Sequence, residues 1–373
     1  MKTVALDLQP CVGRRSGIGN VTYELSRRVH DTENTRFVGN VFCFGREKNT
    51  EGWAEHQIPV RACRLLPYGV YRRIWNAVPL PYETFFPSGA DLSVFFDYVV
   101  PPRISGKVMT TVHDMSPSRF PEFMQESNRR RIEGGLQRSI ERCERLLTIS
   151  EFSKREIVEL LHYPADRIHV IYPAPSLKPG TADFDELKAR YGLRDDYLLY
   201  VGNIEQRKNL SVLLRAFARL KKEAGIPHQL VLAGGTSWGS EEIIRQAEPM
   251  IASGQIVMTG YISSAEKNTL YEHAACFAFP SLYEGFGIPP LEAMHFGCPV
   301  ICSTAGSLPE VVGDAAMIVE PQDELGLSEA IHSVLSDPSL AETLRRRGFA
   351  RTKVFSWDHS AEQLMQLCEA VLS

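Results

Sequence analysis

From Tyr197 onward, short apolar runs alternate with stretches whose hydrophobic spacing is helical. The runs are Tyr197–Val201, Gln229–Ala233, Ile256–Met258, Cys276–Phe279, Pro299–Cys302 and Met317–Val319. Runs this short and this apolar predict strands buried on both faces, so the pattern predicts a doubly wound parallel α/β sheet. The first half shows the same alternation less regularly. Strands are predicted at Val4–Leu8, Lys107–Asp114, Leu146–Ser150 and Ile168–Tyr172. An amphipathic helix follows the loop 9–19 and runs to about Val29. A second, arginine-rich helix spans about Asn128–Leu147, where interspersed Glu133, Glu141 and Glu144 predict a salt-bridged solvent face. A third begins at SEFSKREIVELL, with Ser150 or Ser153 as its cap. The proline- and glycine-rich stretch 173–180 reads as a linker. It divides the chain into domains at 1–175 and 181–356, and 373 residues suit two domains better than one. The final amphipathic stretch, Trp357–Leu372, could pack on either.

The composition is that of a water-soluble globular chain, 44% hydrophobic and 23% charged. A net charge of −4 gives no support to wholesale nucleic-acid binding. That charge is unevenly spread. Residues 1–175 carry 24 Lys and Arg against 20 Asp and Glu, and the remainder is correspondingly acidic. A mildly basic first half suits an anionic surface or substrate. Residues 61–86 mix Arg61, Arg64, Arg72 and Arg73 with Tyr68, Tyr71, Trp75, Phe85 and Phe86. Such interleaving suits peripheral docking on anionic headgroups, and equally an irregular surface insertion with its aromatics tucked beneath it. The eight cysteines are scattered with no CxxC pair, which fits a reduced, cytoplasmic compartment. The opening MKTVALDL reads as a strand and not as an export signal, and no apolar run approaches a membrane span. Any membrane contact is therefore expected to be peripheral, on the inner face.

The candidate chemistry gathers around Phe277–Ile301, FAFPSLYEGFGIPPLEAMHFGCPVI. A buried strand ends at Pro280 and a loop carries Glu284, Gly285 and Gly287. Pro289 and Pro290 then open a short helix holding Glu292. In a parallel sheet this strand-to-helix junction lies at the carboxyl edge, where ligands bind and helix N-termini favour phosphate. Either glutamate alone could be a solvated or dipole-complementing charge. Arg207 and Lys208 stand in the loop after Tyr197–Val201, where Arg can fork onto phosphate oxygens and Lys can act as a point charge. His113 and Asp114 end the strand Lys107–Asp114, with Asp114 either orienting the imidazole or capping the next segment. The loop Gln9–Gly19 is glycine-rich without the GxGxxG spacing. No acidic residue stands where a nicotinamide enzyme would hold its ribose, which disfavours a dehydrogenase.

Six blocks give these residues a common frame: SGIGNVTYEL near the start, TVHD at 111–114, TISEFSK at 148–154, VGNIEQRKNL at 201–210, the stretch around Glu284-x7-Glu292, and GSLPEVVGDAAMIVEPQD at 306–323. With them the chain resembles, over nearly its whole length, the retaining nucleotide-sugar glycosyltransferases of family four. The resemblance implies two Rossmann-like doubly wound domains facing across a cleft, the GT-B fold, with Trp357–Leu372 (residues 357–373) completing the first. It implies that Glu292 holds the ribose hydroxyls of the donor. Glu284 would stand beside the donor sugar, with the backbone at Phe286, Gly287 and Ile288. Arg207 and Lys208 would neutralise the diphosphate leaving group. The backbone near Tyr261 and Ile262 would meet the base, and His113 would reach the sugar. Gly17 and Gly19 would line the phosphate side or the acceptor entrance. The implied reaction is metal-independent transfer, with no DxD motif to hold a metal and no cofactor beyond the nucleotide-sugar co-substrate. The sugar is a hexose, mannose from GDP-mannose being the leading reading. It would pass to a glycan or lipid-linked saccharide acceptor in surface polysaccharide or lipopolysaccharide synthesis. The alternatives are a UDP-sugar donor, a GT-B nucleotide-sugar epimerase or hydrolase, and a non-catalytic nucleotide-sugar-binding subunit.

Overall fold

The computed structural model describes residues 1–13, 17–44, 53–75, 78, 80–86, 89–176, 180–237 and 239–373. Its strands form two parallel sheets, and each sheet is wound outward in both directions from its first strand. In the first, β1 (Lys2–Asp7) lies between β2 (Thr35–Phe42) and β4 (Leu92–Phe95). Beyond β2 is β3 (Val60–Cys63). Beyond β4 are β5 (Lys107–Thr111), β6 (Arg145–Thr148) and β7 (Ile168–Val170), so the order is β3-β2-β1-β4-β5-β6-β7. The second sheet is centred on β8 (Tyr197–Val201), with β9 (Gln229–Ala233) and β10 (Ile256–Gly260) on one side. On the other lie β11 (Cys276–Phe279), β12 (Val300–Ser303) and β13 (Ala316–Val319). These are the two doubly wound α/β sheets that the apolar runs predict.

The reversal of direction falls between β1 and β4 in the first sheet and between β8 and β11 in the second. At such a switch point the flanking loops diverge and leave a crevice at the carboxyl edge. The strands beside it are sealed on both faces. Tyr197 to Tyr200 and Cys276 to Phe279 are fully buried, and each Phe so buried contributes roughly 1.5–3 kcal/mol. A sheet anchored this firmly holds its carboxyl-edge loops in fixed register.

The chain divides into two units. One comprises residues 1–119, 126–173 and 356–373, and the other 120–125 and 174–355. The terminal helix Trp357–Leu372 belongs to the first unit, where Asp358 pairs with Arg28 at 2.7 Å and Ser360 Oγ donates to the Tyr172 carbonyl at 2.6 Å.

Two expectations for the first half need correction. Residues 61–86 are not an irregular insertion. They contain the end of β3, a helix at Tyr68–Ile74 and a 3-10 turn at Tyr82–Phe85. Tyr71, Trp75, Tyr82 and Phe86 are buried, most of them around Phe42, because the rings have more apolar surface to lose than the neighbouring aliphatics. What faces solvent is Leu65, Val70, Val78 and Leu80 with Arg72 and Arg73. The arginine-rich helix, observed at Glu126–Arg142, is salt-bridged only over its first half. Arg129, Arg130 and Arg131 pair with Glu133, Glu126 and Asp97, whereas Arg138 and Arg142 have no acidic partner among the described residues. Arg138 bonds the Gly134 carbonyl one turn back, and Glu141 one turn on accepts from Gln137 instead.

Candidate active site

The loop after β8 and the loop after β11 lie side by side because their strands are neighbours at the switch point. Gln206–Lys208 forms a single 3-10 turn, ended by Asn209 in the left-handed conformation at φ 58°. Asn is among the few residues with a side chain that tolerate that conformation. The Asn209 amide also donates to the carbonyls of Pro280 and Pro321, at 2.9 and 2.5 Å. Leu282 N donates to the Arg207 carbonyl at 2.8 Å. These bonds hold Arg207 and Lys208 against the Glu284 loop.

There Lys208 Nζ lies 2.6 Å from Glu284 Oε1 and Arg207 Nη1 lies 3.2 Å from Oε2. Ser281 Oγ donates to Oε1 at 2.7 Å. Arg207 reaches further, donating to the Tyr283 carbonyl and to Glu205, both at 2.7 Å. Glu284 is 7% exposed. Burial alone would raise its pKa, but Lys208 and Arg207 outweigh that and hold the carboxyl at about 2. Lys208 is pulled below the ordinary lysine value by burial and by Arg207, with Glu284 opposing. The result is a cluster of two cations and two carboxylates at the carboxyl edge, with Lys208 and Glu284 its most buried members.

The backbone around Glu284 is held as firmly as its side chain. Ser307 N and Oγ both donate to the Glu284 carbonyl, and Ser307 Oγ also reaches the Phe286 carbonyl at 2.8 Å. Gly306 has φ 63°, and a Cβ there would fall 2.2 Å from the Glu284 carbonyl oxygen. Only glycine permits that approach. Gly287, at φ 102°, caps the helix Ile288–His295, whose first turn contains Pro289 and Pro290. Glu292 lies one turn on from Ile288. It is 6% exposed, with Lys267 Nζ 2.6 Å from Oε1 and the Tyr271 hydroxyl 3.3 Å from Oε2.

Tyr261 and Ile262 follow β10, three strand positions from β11, and Tyr261 is 58% exposed. Strands lie about 4.8 Å apart, so this edge spans about 14 Å, a length suited to an elongated ligand. Tyr261 lies over Gly235, where a Cβ would meet its ring at 2.3 Å.

In the first unit, His113 follows β5 and is 4% exposed. Its Nε2 lies 3.0 Å from the Phe96 carbonyl, which assigns the proton to Nε2 and leaves Nδ1 as the acceptor. Burial lowers its pKa below 6.5, so the ring is neutral. Asp114 does not orient the imidazole. Its Oδ1 accepts from Ser116 N, Ser116 Oγ and the Tyr98 hydroxyl, so it caps the following turn. Gly17 opens the helix Gly17–Ser26, exposed and with open space at its Cα, while Gly19 is buried. Arg14–Ser16 of the same loop lie outside the described residues.

The fold thus brings Arg207, Lys208 and Glu284 into contact and places Phe286, Gly287, Ile288 and Glu292 on the adjoining helix start. Glu205, Lys267, Ser281 and Ser307 complete the cluster, and the sequence reading assigned them nothing. Gly306 and Ser307 stand within a quoted block, which is a signal of sorts. Lys267 is one lysine on a polar helix and carries none. Among the described residues no group of three His, Cys, Asp or Glu side chains is placed to hold a metal ion.

Comparison with known proteins assigns a class to this arrangement. Among solved structures, HepE of Anabaena bound to UDP and glucose matches with TM-score 0.75 at 18% identity, covering 99% of this chain and 100% of that one. Sucrose-phosphate synthase of Thermosynechococcus elongatus matches with TM-score 0.74 at 20% identity, covering 100% and 99%. The fold is therefore GT-B, with two Rossmann-like domains. In sequence, residues 15–175 match the Glycosyltransferase Family 4 model and residues 183–351 match the Glycosyl transferases group 1 model. O-antigen chain mannosyltransferase B of Escherichia coli is 37% identical over 271 residues, 72% of this chain and 71% of that one. The serotype-specific mannosyltransferase WbdA of Escherichia coli is 30% identical over 267 residues, 69% of this chain and 33% of that longer one. The chain belongs to the family-four, group 1 glycosyltransferases.

Proposed function

We propose that this protein is a retaining hexosyltransferase that moves mannose from GDP-mannose to a glycan or lipid-linked saccharide in surface polysaccharide synthesis. The observation that carries the reading is the buried contact of Lys208 and Arg207 with Glu284 at the carboxyl edge of the second sheet. The sugar and the pathway are supported by relatives named as O-antigen mannosyltransferases. In this reading Glu292 and Lys267 receive the ribose, and the Tyr261–Ile262 backbone receives the base. Lys208 and Arg207 stabilise charge as it develops on the departing diphosphate. Lys208 commits one of its three N–H donors to Glu284, and in this reading the others would meet the diphosphate oxygens.

Glu284 is better suited to positioning and electrostatics than to covalent attack. A carboxylate already accepting from Lys208, Arg207 and Ser281 has its lone pairs engaged and is a weak nucleophile. The acceptor hydroxyl would then attack on the same face as the departing diphosphate, which takes up its proton, with no metal required. His113, neutral and protonated at Nε2, would accept a hydrogen bond from a sugar hydroxyl at Nδ1. Gly17 and Gly19 would line the acceptor side. The exposed aliphatics and arginines of residues 65–80 would rest on an anionic membrane surface. Among the described residues no helix is long and apolar enough to cross a membrane, so that contact would be peripheral.

The test is a panel of GDP- and UDP-sugars, scored for thermal stabilisation and for transfer, with the anomeric configuration of the product read by NMR. Stabilisation by GDP-mannose and an α-linked product are expected. Preference for a UDP-sugar overturns the donor assignment. Release of an altered free sugar without acceptor overturns transfer in favour of epimerisation or hydrolysis.

A further inference from the structure

A cavity of about 190 Å³ opens in the first unit, and none of the candidate active-site residues lines it. Its floor is apolar and buried: Trp75, Val99, Val100 and Pro101. Around it stand Arg103, Arg138 and Arg142, and none of the three has an acidic partner among the described residues. On the same helix, Arg129, Arg130 and Arg131 are all paired, so bare arginines are not the rule for this element. The walls are fixed. Val100 N donates to Ser139 Oγ at 2.9 Å, Arg142 donates to the Ile104 carbonyl, and Gly135 lets the helix close onto Val99. Arg103 follows two prolines and has φ 58°, a left-handed conformation that residues with a Cβ avoid and that recurs at functional positions.

The cavity is smaller than the roughly 300–1,000 Å³ of a site enclosing a whole organic ligand. It fits a headgroup. Three guanidiniums without a carboxylate partner among the described residues select an anion with several acceptor oxygens, which is phosphate chemistry. Exposed aliphatics stand near Trp75 in the chain: it follows the helix Tyr68–Ile74, and Val70, Val78 and Leu80 of the same stretch are exposed, together with Leu65. An anion with an attached hydrocarbon chain satisfies both halves.

Position separates this cavity from the reacting centre. Arg142 and Ile104 directly precede β6 and β5, so they lie at the amino edge of the first sheet. Gly17, Gly19 and His113 follow strand ends at the carboxyl edge. A lipid held here is an anchor and not the acceptor.

The geometry points to a specific site for the phosphate headgroup of an anionic membrane phospholipid, gripped by Arg103, Arg138 and Arg142 over Trp75. This deepens the membrane contact named in the proposed function. It is testable without donor or acceptor, so failure of the transferase reading would leave its readout intact.

The test uses the full chain and vesicles of phosphatidylcholine, with or without phosphatidylglycerol, in a flotation assay. Each arginine at an anionic surface contributes about fivefold to binding, so Arg138→Gln with Arg142→Gln should weaken binding to anionic vesicles about 25-fold. Arg103→Gly keeps the left-handed backbone and should cost about fivefold, which guards against a folding defect in the double variant. A short-chain, water-soluble phosphatidylglycerol then separates a pocket from diffuse attraction. It should bind saturably to the wild type and to Arg72→Gln/Arg73→Gln, but not to the Arg138/Arg142 variant. Equal loss in both pairs, no preference for anionic vesicles, or equal binding of inorganic phosphate alone would each overturn the proposal.

Discussion

Replacing Lys208 by Met tests whether the Glu284 cluster is held together by charge. The methionine keeps most of the side-chain volume and removes the ammonium 2.6 Å from Glu284. Glu284 has its carboxyl depressed from 4.5 to about 2, a preference of roughly 3 kcal/mol for the ionised form at 1.36 kcal/mol per pH unit. Because the folded value lies below the unfolded one, this stabilisation is complete above about pH 5 and is lost as pH falls from 4.5 toward 2. Without Lys208, burial acts against the carboxylate with only Arg207 and Ser281 opposing it. A loss of roughly 2–3 kcal/mol is expected at pH 7, below the 3–5 kcal/mol of a fully abandoned buried charge. For a unit of this size that lowers Tm by about 4–12 °C. Calorimetry between pH 7 and pH 3 should show the gap from wild type at its largest near neutrality and narrowing in acid. Adding Glu284→Gln should restore part of the loss, since the two changes touch one interaction. A gap independent of pH, or strictly additive effects in the double variant, would refute the electrostatic account.

Three further outcomes follow from other contacts. Glu292→Gln should weaken nucleotide binding by about 1–3 kcal/mol. If Glu292 receives the ribose, titration calorimetry should show the penalty shrinking for a 2′,3′-dideoxynucleotide; an unchanged penalty would remove it from the ribose. Gly306→Ala puts a methyl 2.2 Å from the Glu284 carbonyl oxygen at φ 63° and should lower the Tm of the second unit by several degrees, with loss of turnover. Turnover and Tm both at wild-type level would show that the loop is not fixed there. Asp7 is raised to about 8 by burial, with Asp97 adding to it. Its folded value lies above the unfolded one, so stability falls as pH rises from about 4 to 8. Asp7→Asn should therefore gain on the wild type across that range and hold the gain above it, as read from urea unfolding at pH 5, 7 and 9; parallel curves would count against a buried, protonated Asp7.

The second half of the fold was legible because parallel strands buried on both faces leave unbroken apolar runs. Tyr197–Val201, Gln229–Ala233 and Cys276–Phe279 are strands with those bounds. The first half was less so. No strand was assigned at Thr35–Phe42, where Arg36, Gly39 and Asn40 break the run, nor at the four-residue strands Val60–Cys63 and Leu92–Phe95. Aromatics among arginines at residues 61–86 left headgroup docking and tucked rings equally open, and the structure turns Tyr71, Tyr82 and Phe86 inward around Phe42.

Sequence by itself determined the fold class, the family, and which residues stand at strand ends, since periodicity and motif are properties of neighbours along the chain. Tertiary structure alone decided partnership. Lys208 is 76 residues from Glu284 and Arg207 lies next to it in the chain, and they meet Glu284 because β8 and β11 are adjacent where the winding reverses. Lys267 reaches Glu292, and Ser307 holds the Glu284 backbone, for reasons equally remote from local spacing. The bare arginines of the helix Glu126–Arg142 also emerged only in three dimensions, because whether a charge is paired depends on what the fold sets beside it.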